Sequence, residues 1–144
     1  MSASKSVGAK MVNTEYVPEW YITPFQHVHY TLARNQLHMD LLFEDMDKAD
    51  QFLDMGADAQ VSTFSNGAYA IVQIGDTSEK DQIQVYGLLL HEAVHVWQIV
   101  KRRMGEREPS VEFEAYSIQA IAQDLFKMYE ESEVNDGMEG EKAN

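Results

Sequence analysis

From Phe25 onward, apolar side chains recur at spacings of three and four: Val28, Leu32, Met39, Leu42, Met46, Ala49 and Leu53. That is the signature of one helix face. Thr23 followed by Pro24 supplies a helix start, and Gly56 stands where a helix would close. The pattern predicts one long helix over 24–55, or two with a break near Asn35 and Gln36, Asn35 being the one polar residue in the register. The rhythm changes over 60–64 and 68–74, two strand-like runs separated by Ser65, Asn66 and Gly67, and Asn-Gly between such runs is a strong hairpin cue. Asp76 and Glu79 have the spacing of a capping box. They predict a helix over 77–104, ended by Lys101, Arg102 and Arg103, which complement the helix dipole, and by Gly105. Pro109 opens a last helix over 109–131, with Val111, Ala115, Ile118, Ala122, Leu125 and Tyr129 on its apolar face. The expected fold is α+β: a mostly helical single domain over 15–131 with a small antiparallel hairpin or sheet. The polar stretch 1–14 and the acidic stretch 132–144 read as disordered tails.

Composition narrows the partners. The chain has 144 residues, 24 acidic against 11 basic, and a net charge of −13. That argues against nucleic acid and anionic membrane surfaces, both of which need positive patches. No apolar run is long enough for a membrane span, and the first ten residues lack the apolar core of a secretory signal. The expectation is a soluble, cytoplasmic protein. With no cysteine in the chain, any metal must be held by histidine and carboxylate.

The chemistry concentrates at His91-Glu92-Ala93-Val94-His95. Residues i and i+4 lie one turn apart on the same helix face, so His91 and His95 can grip one ion together. Neutral imidazole suits Zn²⁺, and Glu92 sits where its carboxylate can act as general base on a zinc-activated water. Leu88, Leu89, Leu90, Val94, Val96 and Ile99 make the surrounding helix apolar on most sides. It therefore reads as a core helix in which polar groups need partners. The bland alternative is that both histidines are ordinary polar positions. His27, His29 and His38 invite a second centre, but i, i+2 spacing puts His27 and His29 on different helix faces. They share a face only in a strand, which Val28, Tyr30 and Leu32 permit; surface or capping histidines are the expected reading.

Two histidines alone do not make a tight zinc site. No third histidine lies downstream, so the next helix is the natural source of a carboxylate, Glu112 or Glu114. Glu112, Tyr116, Gln119 and Gln123 share a polar stripe of the kind a cleft wall would carry, while Glu114 lies on the opposite flank. Either acid can equally be a solvated helix residue.

The motif at 91–95 followed by Glu112-Phe113-Glu114-Ala115-Tyr116 resembles the zincin-like metallopeptidases of the gluzincin type. It is similar in particular to the ImmA/IrrE-type peptidases and the integral-membrane prenyl-protein endopeptidases. The likeness covers about 77–125. Those families place a Glu three residues before Ala and four before Asp or Asn, which implies Glu112 as third ligand, Ala115 as the small residue and Tyr116 as a departure. A rival alignment on the thermolysin-like pattern implies Glu114. The resemblance further implies a zinc peptidase acting on a protein or peptide, with Tyr116 or an N-terminal histidine aiding the oxyanion. In such enzymes a strand beside the metal binds extended substrate; here the hairpin either does this or merely covers the helices. Two other functions compete: a binding or assembly module with a structural or vestigial metal site, and a metal-free helical interaction protein.

Overall fold

The computed structural model describes residues 11–44, 50–53 and 56–134. Strand β1 (Tyr21–Ile22) leads through a 3-10 turn (Pro24–Gln26) into β2 (His29–Ala33), followed by helix α1 (Gln36–Leu42). The hairpin of β3 (Ala59–Phe64) and β4 (Tyr69–Ile74) comes next, then two long helices, α2 (Gln82–Met104) and α3 (Val111–Glu131). The four strands form one sheet in the order β1-β2-β4-β3. β2 runs parallel to β4, with Leu32 opposite Val72, and both edge strands are antiparallel to their neighbours. The fold is α+β, as expected, but its sheet is larger than a hairpin and is mixed.

The long helix expected over 24–55 is not formed. Phe25 and Gln26 take left-handed backbone angles (φ 64° and 60°), which break the helix that Pro24 would have opened. His29 to Ala33 join the sheet instead. Tyr30, Thr31, Leu32 and Ala33 are all buried, because both faces of β2 are covered, so the strand shows no polar alternation to betray it. The break expected at Asn35 is real: Asn35 caps α1, its side chain accepting from the His38 backbone N–H at 2.9 Å. The positions expected to continue the helix over 45–49 and 54–55 lie outside the described residues.

The hairpin follows its cue, with Ser65, Asn66 and Gly67 all at positive φ. Two helix starts shift. Asp76 instead accepts from the Ser78 backbone N–H, and the capping box is made five residues on by Asp81 and Gln84. Ser110, not Pro109, sets the start of α3, accepting from the Phe113 N–H. Gly105 ends α2 in the left-handed conformation, as its position suggested.

One face of the sheet carries α2 and α3. Val28, Tyr30, Leu32, Val72 and Ile74 meet Leu89, Val96, Trp97, Leu125 and Met128 there in the main core. The other face carries Met39 and Phe43 against Ala33 and Ile71. Val111, expected on the apolar face of α3, is exposed; Ile121 and Met128 take that role with Ala122, Leu125 and Tyr129.

Arg34, just past β2, is buried and ties three ends together. Its guanidinium donates to the carbonyls of Ile74 and Gly75 (both 3.0 Å), to Ser132 Oγ (2.9 Å) and to Glu133 (2.6 Å), and lies over the Tyr129 ring. Val12 bridges to Glu133. Residues 11–14 and 132–134, expected in disordered tails, are therefore part of the fold; 1–10 and 135–144 lie outside the described residues. No helix among the described residues is long and apolar enough to cross a membrane.

His38 is buried, with Nδ1 accepting from the Arg34 backbone N–H at 2.9 Å. Burial, and secondarily the Arg34 charge, lower its pKa from 6.5 to about 4. The unfolded chain takes up a proton below pH ~6.5 that the folded chain refuses until about pH 4, so stability present at neutral pH is lost as pH falls through that window. At about 1.4 kcal/mol per unit, the parent should lose about 3 kcal/mol more than His38→Gln on going from neutral to pH ~4. Urea midpoints of both proteins across the range measure this, and parallel profiles would show that His38 is not the cause.

Candidate metal centre

The inner face of α2 is fixed by Val85, Leu89, Ala93, Val96, Trp97 and Val100, all buried against the sheet and α3. A helix that buries one such face must turn the opposite one to solvent. That outward side carries His91, His95, Gln98 and Arg102, all exposed and together forming an i, i+4, i+7, i+11 stripe that begins with the two histidines. The expectation of a helix buried on most sides is therefore corrected: Leu90 is exposed, and both histidines are accessible.

The two imidazoles face each other. Their centroids are 4.8 Å apart, the planes are nearly perpendicular, and Nε2 of His91 lies 3.2 Å from Nε2 of His95. Two nitrogens sharing a tetrahedral zinc at about 2.0–2.1 Å would stand about 3.3 Å apart. The spacing of the two nitrogens thus matches that of a shared ion. Gln98, one turn on, has its Oε1 3.0 Å from His95 Nδ1.

Glu92 lies at the seam between the outward and buried faces. It is only 4% exposed, and no hydrogen bond from the described residues reaches its carboxylate. Burial raises its pKa; His91 and His95 pull the other way. The side chain opens into a cleft of about 480 Å³ between α2 and β3, lined by His91, Glu92, His95 and Gln98 on one side and by Ala59, Val61 and Thr63 on the other. The cleft continues past Ala59 toward Asp58, Lys80 and Gln84. Among the described residues β3 pairs with β4 alone, so its outer edge borders this cleft.

The expected third ligand is not in the cleft. Glu112, Tyr116, Gln119 and Gln123 are all exposed, and their stripe is a solvated face of α3 rather than a cleft wall. Tyr116, 66% exposed, borders a separate apolar pocket with Trp97, Met104 and Phe113 and does not line the cleft of the histidine pair. Glu114 accepts from Trp97 Nε1 at 2.7 Å and pairs with Lys101 at 3.7 Å. Trp97 lies about 120° around the helix from His91, so this acid latches α3 to a different side of α2. His29 stacks on Tyr69, and His27 offers its backbone carbonyl to Arg103. Among the described residues, no three His, Asp or Glu side chains gather into a metal-holding group. The described residues thus fit a metal at two protein positions, His91 and His95.

Gln98, which lines the cleft, lies outside the motif at 91–95. Its i, i+3 spacing from His95 was the available signal. The burial of Glu92 had no signal in the motif itself, because it depends on where the sheet meets the helix. No protein-family model, curated protein or solved structure matches this chain.

Replacing Glu114 by Ala would leave the buried Trp97 N–H without its acceptor. The expected cost is about 2 kcal/mol of stability, read from denaturant unfolding, with zinc content equal to that of the parent. Loss of metal at unchanged stability would return Glu114 to the ligands.

Proposed function

We propose that this chain is a zinc-dependent metallopeptidase working in the cleft between α2 and β3. The observation that carries the reading is Glu92: a buried carboxylate with no hydrogen-bond partner among the described residues, opening beside two imidazoles whose Nε2 atoms converge. An unpaired buried carboxylate is costly to maintain, and a cleft with perturbed acid and facing imidazoles is where hydrolytic chemistry gathers. His91 and His95 would hold the ion through Nε2. Zinc bound there supplies a water of lowered pKa and a Lewis acid for the scissile carbonyl.

Glu92 takes the proton from the attacking water and returns it to the leaving amine. Its burial keeps bulk solvent from competing for that proton. The outer edge of β3 gives an extended peptide a place to add as a strand, with backbone hydrogen bonds providing affinity. That supports a protein or peptide substrate.

A second reading has a specific observation in its favour. The described residues offer two imidazoles and no third ligand, since Glu114 is engaged with Trp97 and Glu112 is exposed. A site so composed also suits a binding or assembly module in which metal is structural or vestigial.

Glu92→Gln separates the two. For the peptidase, zinc content after dialysis should match the parent while cleavage of a peptide library falls at least about 100-fold. His91→Ala and His95→Ala should each lose the metal. A parent that retains zinc yet cleaves nothing, and that melts earlier once His95 is removed, is the module.

A further inference from the structure

We propose that Gln98 is a positioning residue that sets the tautomer of His95, holding its proton on Nδ1 so that Nε2 is bare and faces His91. The inference rests on the metal-centre reading above for its purpose, but its geometry stands on the hydrogen bonds alone. A neutral imidazole carries one proton on one of two nitrogens, and only the bare nitrogen can ligate. In water the Nε2–H form of histidine is the favoured one, which would leave the wrong nitrogen facing the cleft.

Helical side chains lean toward the N-terminus, so a residue at i+3 folds back over the one before it. Gln98 does so, and its Oε1 reaches Nδ1 of His95 at 3.0 Å. An amide oxygen only accepts, so Nδ1 is the donor and Nε2 of His95 keeps its lone pair. The 3.2 Å contact between the two Nε2 atoms then has one consistent polarity: His91 donates from Nε2–H to the bare Nε2 of His95. The metal-free pair is therefore asymmetric. His95 is already in its ligating form, whereas His91 must move its proton to Nδ1 or to solvent when an ion binds. Gln98 touches no reacting atom; it acts through His95.

The test is long-range ¹H–¹⁵N spectroscopy of the imidazoles in the metal-free full chain, at a pH well above the ordinary histidine pKa of about 6.5. The parent should show His95 protonated on Nδ1 and His91 protonated on Nε2. In Gln98→Leu the His95 proton should shift toward Nε2, and zinc affinity measured by chelator competition should weaken about tenfold, the lower end of what loss of a ligand's outer hydrogen bond costs. Gln98→Glu keeps an acceptor and should restore both. His95 found protonated on Nε2 in the parent, or a tautomer indifferent to residue 98, overturns the proposal. If His95 follows residue 98 while the parent binds no zinc, the proposal stands and it is the metal centre that fails.

Discussion

Burial of a single face of α2 is the constraint from which the candidate site follows. Val85, Leu89, Ala93, Val96, Trp97 and Val100 lock that face onto the sheet and α3, and the 3.6-residue repeat leaves His91 and His95 no choice but to point out beside β3. Glu92 belongs to neither face. It falls where the helix meets the sheet, close enough to the histidines to feel their charge and deep enough to lose its water. The chemistry of the motif is thus set less by its five residues than by the apolar residues before and after them.

The parts of this arrangement that rest on local rules were legible beforehand. The i, i+4 pair, the Asn-Gly hairpin, Gly105 as helix stop and Asn35 as an interruption all work within a few residues of themselves. What was hidden depends on distant partners. β2 imitates a helix because Val28, just before it, and Leu32 happen to be four apart, and because cover on both faces buries Tyr30 to Ala33 and leaves no polar alternation. Asp76 and Asp81 are both sound caps in isolation; in the fold Asp76 accepts from Ser78 while Asp81 and Gln84 close the box.

The third ligand shows the same limit more sharply. Glu112 and Glu114 lie on opposite flanks of one helix, and spacing alone gave each a claim. The rotation of α3 decides: burial of Ile121, Leu125 and Met128 turns Glu112 to solvent and aims Glu114 at the indole of Trp97. A glutamate beside a metal motif can thus be spoken for by a tryptophan, a competitor that no motif encodes.

The knot around Arg34 bears on how this protein can be handled. Its counter-charge, Glu133, and its hydroxyl acceptor, Ser132, follow the last turn of α3, and the same stretch is bridged to Val12 near the other end. A trimmed version stopping at Glu131 would look like removal of a dispensable tail. It would instead strand a guanidinium inside the protein with no anion, and stranded buried charges are among the costlier defects a domain can carry. Shortened forms of this chain should keep both segments, or they will report on a damaged core rather than on the cleft.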